Sequence, residues 1–124
     1  MLANRRNDTG PEMRVRRLLH AAGLRYRTDY APDRRNLRRR ADIVFTRRRI
    51  AVFIDGCYWH GCPEHFVPPK ANARYWAGKI AGNIARDRDT DERLRSLGWV
   101  VLRFWEHDEP SLVAERIILT VRGA

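Results

Sequence analysis

Ten consecutive residues, Gly56-Cys57-Tyr58-Trp59-His60-Gly61-Cys62-Pro63-Glu64-His65, hold both cysteines and two of the four histidines of this 124-residue chain. They follow an apolar run, Ile50-Ala51-Val52-Phe53-Ile54, that ends in the carboxylate of Asp55. Thiolate and imidazole ligands, a group that titrates near neutrality and two adjacent aromatic rings therefore converge at the end of a strand-like segment. Cys57, Cys62 and His65 have the spacing C-x4-C-x2-H, and His107 follows a later apolar stretch. Two thiolates and two imidazoles would close a tetrahedral structural Zn²⁺ site. The spacing is not that of a zinc finger, and two buried thiols with two surface imidazoles is the plainer alternative.

With four other ligands available to zinc, His60 is read as a catalytic imidazole, suited to a general base that deprotonates a hydrolytic water. Asp42 opens the apolar strand Ile43-Val44-Phe45. A carboxylate there is either a solvated strand end or a Mg²⁺ ligand, since hard cations take oxygen donors and polarise phosphoryl groups. Asp55, at the end of the next strand, could face the same edge and make a two-acid cation site. Glu12 could orient the second nitrogen of His60, as carboxylates do elsewhere. Its spacing from Thr9 also completes a helix capping box, and both readings stay open.

Tyr58 and Trp59 are adjacent rings in a polar, glycine-flanked loop, suited to stacking on bases or wedging between base steps. Trp76 matches the inner stripe of a later helix and, on spacing alone, reads as core before it reads as a DNA contact. On the opposite face of that helix Lys79, Asn83 and Arg86 stand at i, i+4 and i+7, forming either a solvated face or one that reads nucleic acid. The formal charge of +10 points to a polyanionic partner. Only Lys70 and Lys79 are lysines, a skew that a GC-rich genome can produce without selection for nucleic-acid binding.

The elements that must position these groups follow from periodicity. A helix is expected from Thr9 to about Ala22, with Val15, Leu18, Leu19 and Ala22 as its apolar stripe and Gly23 as its stop. A strand follows at Leu24–Tyr30, with Leu24, Tyr26 and Thr28 on one side. The basic loop 31–40 leads to a hairpin of Ala41–Thr46 and Ile50–Asp55, turning through Arg47–Arg49 without an Asn-Gly signal. A long helix spans about Asn72 to Leu97, with Trp76, Ile80, Ile84, Leu94 and Leu97 inward and Gly98 at its end. Trp99–Trp105 reads as a central strand, and Pro110 opens a last helix to about Val121. The order α-β-β-β-α-β-α implies a mixed α/β sheet flanked by helices, in a single domain over residues 1–124 with residues 1–8 expected to be flexible. No apolar run has the length of a membrane span and the first residues lack a secretory signal, so a cytoplasmic location with unpaired thiols is expected.

With these residues in place the chain resembles the very-short-patch repair (Vsr-type) mismatch endonucleases, over nearly everything from Arg5 to His107. The marks are Asp8-Thr9-Gly10-Pro11-Glu12, Ala41-Asp42-Ile43-Val44-Phe45, Val52 through His60, Lys79-Ile80 with Asn83 and Arg86-Asp87, and Gly98-Trp99 through Trp105-Glu106-His107. The resemblance implies a restriction-endonuclease-like fold of the PD-(D/E)XK type that hydrolyses DNA with Mg²⁺. It also implies nicking 5′ to the thymine of a T:G mismatch. By resemblance Asp42 is the principal Mg²⁺ ligand, the main-chain carbonyl of Ile54 a second, His60 the residue that activates water and Glu12 its support. Tyr58, Trp59 and Trp76 match the aromatic wedge at the mismatch, and Cys57, Cys62, His65 and His107 match the structural zinc site.

Three departures stand out. Asp55 replaces a second histidine near the catalytic centre, which would move its role from proton handling toward metal binding. Ala41 replaces a proline, and the 33–40 loop is unusually rich in arginine. The implied partner is duplex DNA carrying a T:G mismatch, bound by a monomer, with downstream mismatch-repair proteins as further candidates. The alternatives are a restriction-like nuclease with another DNA substrate, or a zinc-stabilised DNA-binding module without turnover. A pure binder has no use for Asp42 or His60.

Overall fold

The computed structural model describes residues 10–56 and 73–123. Helix α1 (Gly10–Ala21) is followed by strands β1 (Arg27–Tyr30), β2 (Ala41–Phe45) and β3 (Ile50–Asp55). Helix α2 (Ala73–Ser96), strand β4 (Val100–Trp105) and helix α3 (Pro110–Gly123) complete the chain. The expected order of elements is therefore found, and the two strands of the hairpin lie where alternation and apolar content placed them. The expectation for residues 1–8 lies outside the described residues.

The sheet has the order β1-β2-β3-β4. β1, β2 and β3 are antiparallel neighbours, while β4 runs parallel to β3 in the register Val52 with Leu102 and Asp55 with Trp105. A parallel partner requires a crossover, which α2 supplies. Among the described residues β4 is thus an edge strand, a correction to its reading as central. Its apolar run is explained by cover rather than by a second neighbour: Leu102 packs into one face of the core and Val101 into the other.

Two buried clusters lie on the two faces of the sheet. One joins Val15 and Leu19 of α1 to Ile43, Phe45, Ile50, Val52 and Leu102, with Val113, Ile117 and Val121 of α3. The other joins Val44, Ala51 and Phe53 to Leu94 of α2. β2 and β3 are consequently buried on both sides, which is why they read as continuous apolar runs. Two residues expected inward are not: Leu18 is 40% and Leu97 45% exposed. Each sits off a stripe that Leu19 and Leu94 already fill, and both of those are almost wholly buried. Thr28, expected to alternate inward with Leu24 and Tyr26, is exposed. Asp29 takes a left-handed φ of 48°, which interrupts the alternation.

Both α1 and α2 stop by the same device. Gly23 and Gly98 have φ of 83° and 89°, a conformation that other residues adopt at a cost. The N–H that follows reaches back into the last turn of the helix, Leu24 to Leu19 O at 3.1 Å and Trp99 to Leu94 O at 2.9 Å. This arrangement satisfies terminal carbonyls and turns the chain sharply into the following strand. Arg49, at φ 55°, closes the hairpin. Its guanidinium donates to Leu97 O at 3.0 Å, and its own carbonyl accepts from Val100 N–H at 2.8 Å. The hairpin, the end of α2 and the start of β4 are thereby tied at one end of the sheet.

Candidate active site

At the opposite end of the sheet β2 begins and β3 finishes. Because the strands are antiparallel in the register Ile43 with Val52, Asp42 lies beside the last residues of β3. Its Oδ2 accepts the Ile54 N–H at 2.6 Å, a short charge-assisted bond that fixes the carboxylate against β3. Asp42 keeps partial solvent access. Even so, burial pushes its carboxyl up from 3.8 to about 7. The Ile54 N–H opposes that shift by favouring the ionised form, and the negative charges of Glu12, Asp55 and Asp29 reinforce it.

Glu12 reaches this region from α1. It shares the stripe of Val15 and Leu19 and is only 1% exposed, so it points inward rather than merely capping the helix. One turn later Arg16 approaches its Oε2 at 3.4 Å. Thr9, its proposed capping partner, lies outside the described residues. A carboxylate buried this deeply on a core-facing stripe requires charge compensation, and Arg16 provides part of it.

Asp55 is held differently. Arg103 Nη1 contacts both of its oxygens at 2.9 and 3.0 Å, and Arg103 Nε contacts both oxygens of Asp91 at 2.8 and 2.9 Å. Arg103 Nη2 also lies 3.7 Å from Asp87, and the guanidinium stacks 4.1 Å above the Phe53 ring. Burial disfavours the charged guanidinium, but Asp55, Asp87 and Asp91 outweigh it and raise its pKa above the ordinary arginine value. Arg103 thus locks the end of β3 to α2. Sequence reading overlooked it, though a signal was present: one cation in an otherwise apolar strand, with Asp87 and Asp91 one helical turn apart.

Of the other candidate residues, His60, Tyr58, Trp59, Cys57, Cys62 and His65 lie outside the described residues. His107 follows β4 and stacks on Trp105 with ring centroids 6.5 Å apart, its Nε2 3.6 Å from Asp108. Trp76 is half-buried, meets Tyr75 edge-on at 5.2 Å and belongs to neither described core cluster. Lys79 and Arg86 are exposed on α2, Asn83 is half-buried, and Ile80 is buried.

Among the described residues no three carboxylate, imidazole or thiol groups gather as a ready-made ligand cluster. The donor chemistry nevertheless fits a Mg²⁺-type ion, which is held by one or two carboxylates and keeps much of its water. A carboxylate crowded by other negative charge and partly desolvated gains most from a cation beside it.

The raised Asp42 value has a consequence for stability. The folded protein holds this proton more tightly than the unfolded chain, so stability from this group falls as pH rises from about 4 through about 7 and is then level. The full effect is at most about 4 kcal/mol, at roughly 1.4 kcal/mol per tenfold change in proton affinity. Without divalent cations at pH 8, Asp42→Asn should therefore be more stable than wild type by roughly 2–4 kcal/mol. Denaturant titrations should show that difference closing toward pH 4. An Asp42→Asn variant no more stable than wild type at pH 8 would contradict the site as described.

A family model described as DNA mismatch endonuclease Vsr matches residues 1–64. The type II nicking enzyme V.NaeI of Lentzea aerocolonigenes is 47% identical over 110 residues, 88% of this chain and 66% of that protein. The type II nicking enzyme V.NmeDIP of Neisseria meningitidis serogroup C is 35% identical over 127 residues, 98% of this chain and 83% of that protein. The DNA mismatch endonuclease Vsr of Escherichia coli is 38% identical over 100 residues, 80% of this chain and 62% of that protein. This chain therefore spans about two thirds of the Lentzea and Escherichia proteins and more of the Neisseria one. Relatedness at this level, over nearly the whole chain and across the strands that carry Asp42 and Asp55, places it among DNA-cutting enzymes: the chain belongs to the Vsr family of DNA mismatch endonucleases.

Proposed function

We propose that the protein nicks one strand of duplex DNA 5′ to the thymine of a T:G mismatch, by Mg²⁺-dependent phosphodiester hydrolysis. The observation that carries this reading is Asp42: a partly desolvated carboxylate, anchored by the Ile54 N–H at a strand end and within electrostatic reach of Glu12, Asp55 and Asp29. A fold gains nothing in stability from that concentration of negative charge, whereas a cation-assisted reaction at a phosphate requires it. Nicking rather than double-strand cleavage is supported by the names of the related nicking enzymes, and the mismatch substrate by the name of the Escherichia relative.

In this reading Asp42 and the main-chain carbonyl of Ile54 hold Mg²⁺. When bound, the ion stabilises charge on the phosphoryl oxygens and lowers the pKa of bound water. His60 takes the proton of the attacking water, and Glu12 orients it from α1. Asp55, fixed by Arg103, keeps the strand end acidic and positioned. Tyr58, Trp59 and Trp76 open the stack at the lesion, and Lys79, Asn83 and Arg86 contact the DNA along α2. Cys57, Cys62, His65 and His107 hold a structural Zn²⁺ that sets the position of the loop carrying His60 and the two rings.

Two experiments test these assignments. On duplexes carrying T:G, other mismatches or none, wild type should nick only the T:G strand. Asp42→Ala should lower the rate by at least about 10³-fold, since each tenfold costs about 1.4 kcal/mol and a metal ligand supplies several, while binding persists. Equal cutting of perfect duplex would favour a restriction-like nuclease, and unchanged nicking by the variant would remove Asp42 from the metal site. Metal analysis of the purified protein should find about one equivalent of zinc for one four-ligand site. Finding none would remove the zinc assignment.

A further inference from the structure

The loop between β1 and β2 is rich in arginine, and the structure gives it a definite shape. Residues 36–40 and α2 enclose an open, strongly polar groove of about 800 Å³. Asn36, Arg38, Arg39, Arg40 and Arg86 line it together with Asp29, so four guanidinium groups face one carboxylate.

The arginines divide into two kinds. Some hold the loop in place. Arg39 pairs with Asp89 and its Nη1 lies 3.1 Å from Thr90 Oγ1, clamping the loop to α2. Arg40 donates to Leu37 O at 3.2 Å and approaches Asp29 at 3.4 Å, and Arg34 stacks on Tyr30 at 4.9 Å. Arg38 and Arg86, by contrast, are exposed, and neither side chain has an acidic partner among the described residues. A loop pinned at several points thus presents unpaired positive charge into a concave surface. That is the arrangement that contacts phosphates without reading sequence.

The groove also adjoins the acidic site. Asp29 lines it, and the charge of Asp29 is felt at Asp42. Arg40 immediately precedes β2, whose second residue is Asp42. We propose that this groove takes the phosphate backbone of duplex DNA flanking the nicking position, with Arg38 and Arg86 as phosphate contacts and Arg39 and Arg40 as the residues that position the loop. The inference rests on the nuclease reading above and extends the DNA contact from Arg86 on α2 onto the loop between β1 and β2.

The test is the salt dependence of binding, measured by fluorescence anisotropy in EDTA so that no strand is cut. Mismatched duplex, perfect duplex and single strand of equal length serve as probes. Arg38→Ala should lower the slope of log affinity against log salt by about 0.9 on both duplexes, so that the fall in affinity between 50 and 200 mM salt becomes about 3.5-fold smaller. Arg38→Lys should restore the slope, because it returns the charge. In nicking assays Arg38→Ala should raise KM and leave kcat at saturating DNA unchanged. An unaltered salt slope, a loss confined to the mismatched duplex, or a loss confined to single strand would each overturn the proposal. If wild type nicks T:G duplex while Arg38→Ala keeps its slope, the groove assignment alone fails. If wild type nicks no mismatch, the nuclease reading fails instead.

Discussion

The hydrogen bond from the Ile54 N–H to the Asp42 carboxylate is the contact around which the candidate site is organised. It joins the start of one strand to the last residues of its antiparallel partner and holds a carboxylate where solvent only partly reaches. Everything else at that site answers to it. Glu12 approaches from α1 on one face of the sheet, and Asp55 projects from the end of β3. Burial, reinforced by the negative charges of Glu12, Asp55 and Asp29, shifts Asp42 toward its protonated form, so the folded chain carries an unfavourable arrangement that a divalent cation would relieve.

Holding such an arrangement requires a rigid frame. The two hydrophobic layers supply most of it, with α1 and α3 covering one face of the sheet and α2 the other. Arg103 supplies the rest. By engaging Asp55, Asp87 and Asp91 together it neutralises charge that would otherwise add to the repulsion at Asp42, and it ties β3 to the crossover helix. Removing one member of a partly buried network of this kind leaves the others uncompensated, which makes the cluster a positional constraint more than a source of net stability.

Much of the fold was legible because its signals are local. Pro11 and Gly23 bracket α1, Gly98 ends α2, Pro110 opens α3, and the apolar runs of β2 and β3 have the content that two-sided burial demands. What escaped the sequence was non-local. The edge position of β4 depends on strand order, which apolar content does not encode. The outward turn of Leu18 and Leu97 depends on which of the nearby apolar residues the sheet accepts. Arg103 gains its meaning only when α2 folds back beside β4. For Glu12 the local capping pattern and the support of His60 both stayed open in the sequence, and only the packing of α1 shows that the residue faces inward. Asp42 and Asp55 were readable as an acidic strand-end pair, but the hold of Arg103 Nη1 on both Asp55 oxygens was not.

The most direct measurement is of the Asp42 carboxyl itself, by carbon-detected NMR of protein labelled at aspartate, titrated with and without Mg²⁺. A carboxyl that burial and neighbouring negative charge together hold toward its protonated form predicts a midpoint at about 7 in the absence of metal. Mg²⁺ should move that midpoint well down toward the ordinary carboxylate range, with release of a proton at neutral pH. An Asp42 that titrates like an exposed aspartate, or whose midpoint is indifferent to Mg²⁺, would contradict the proposal that it holds the cation.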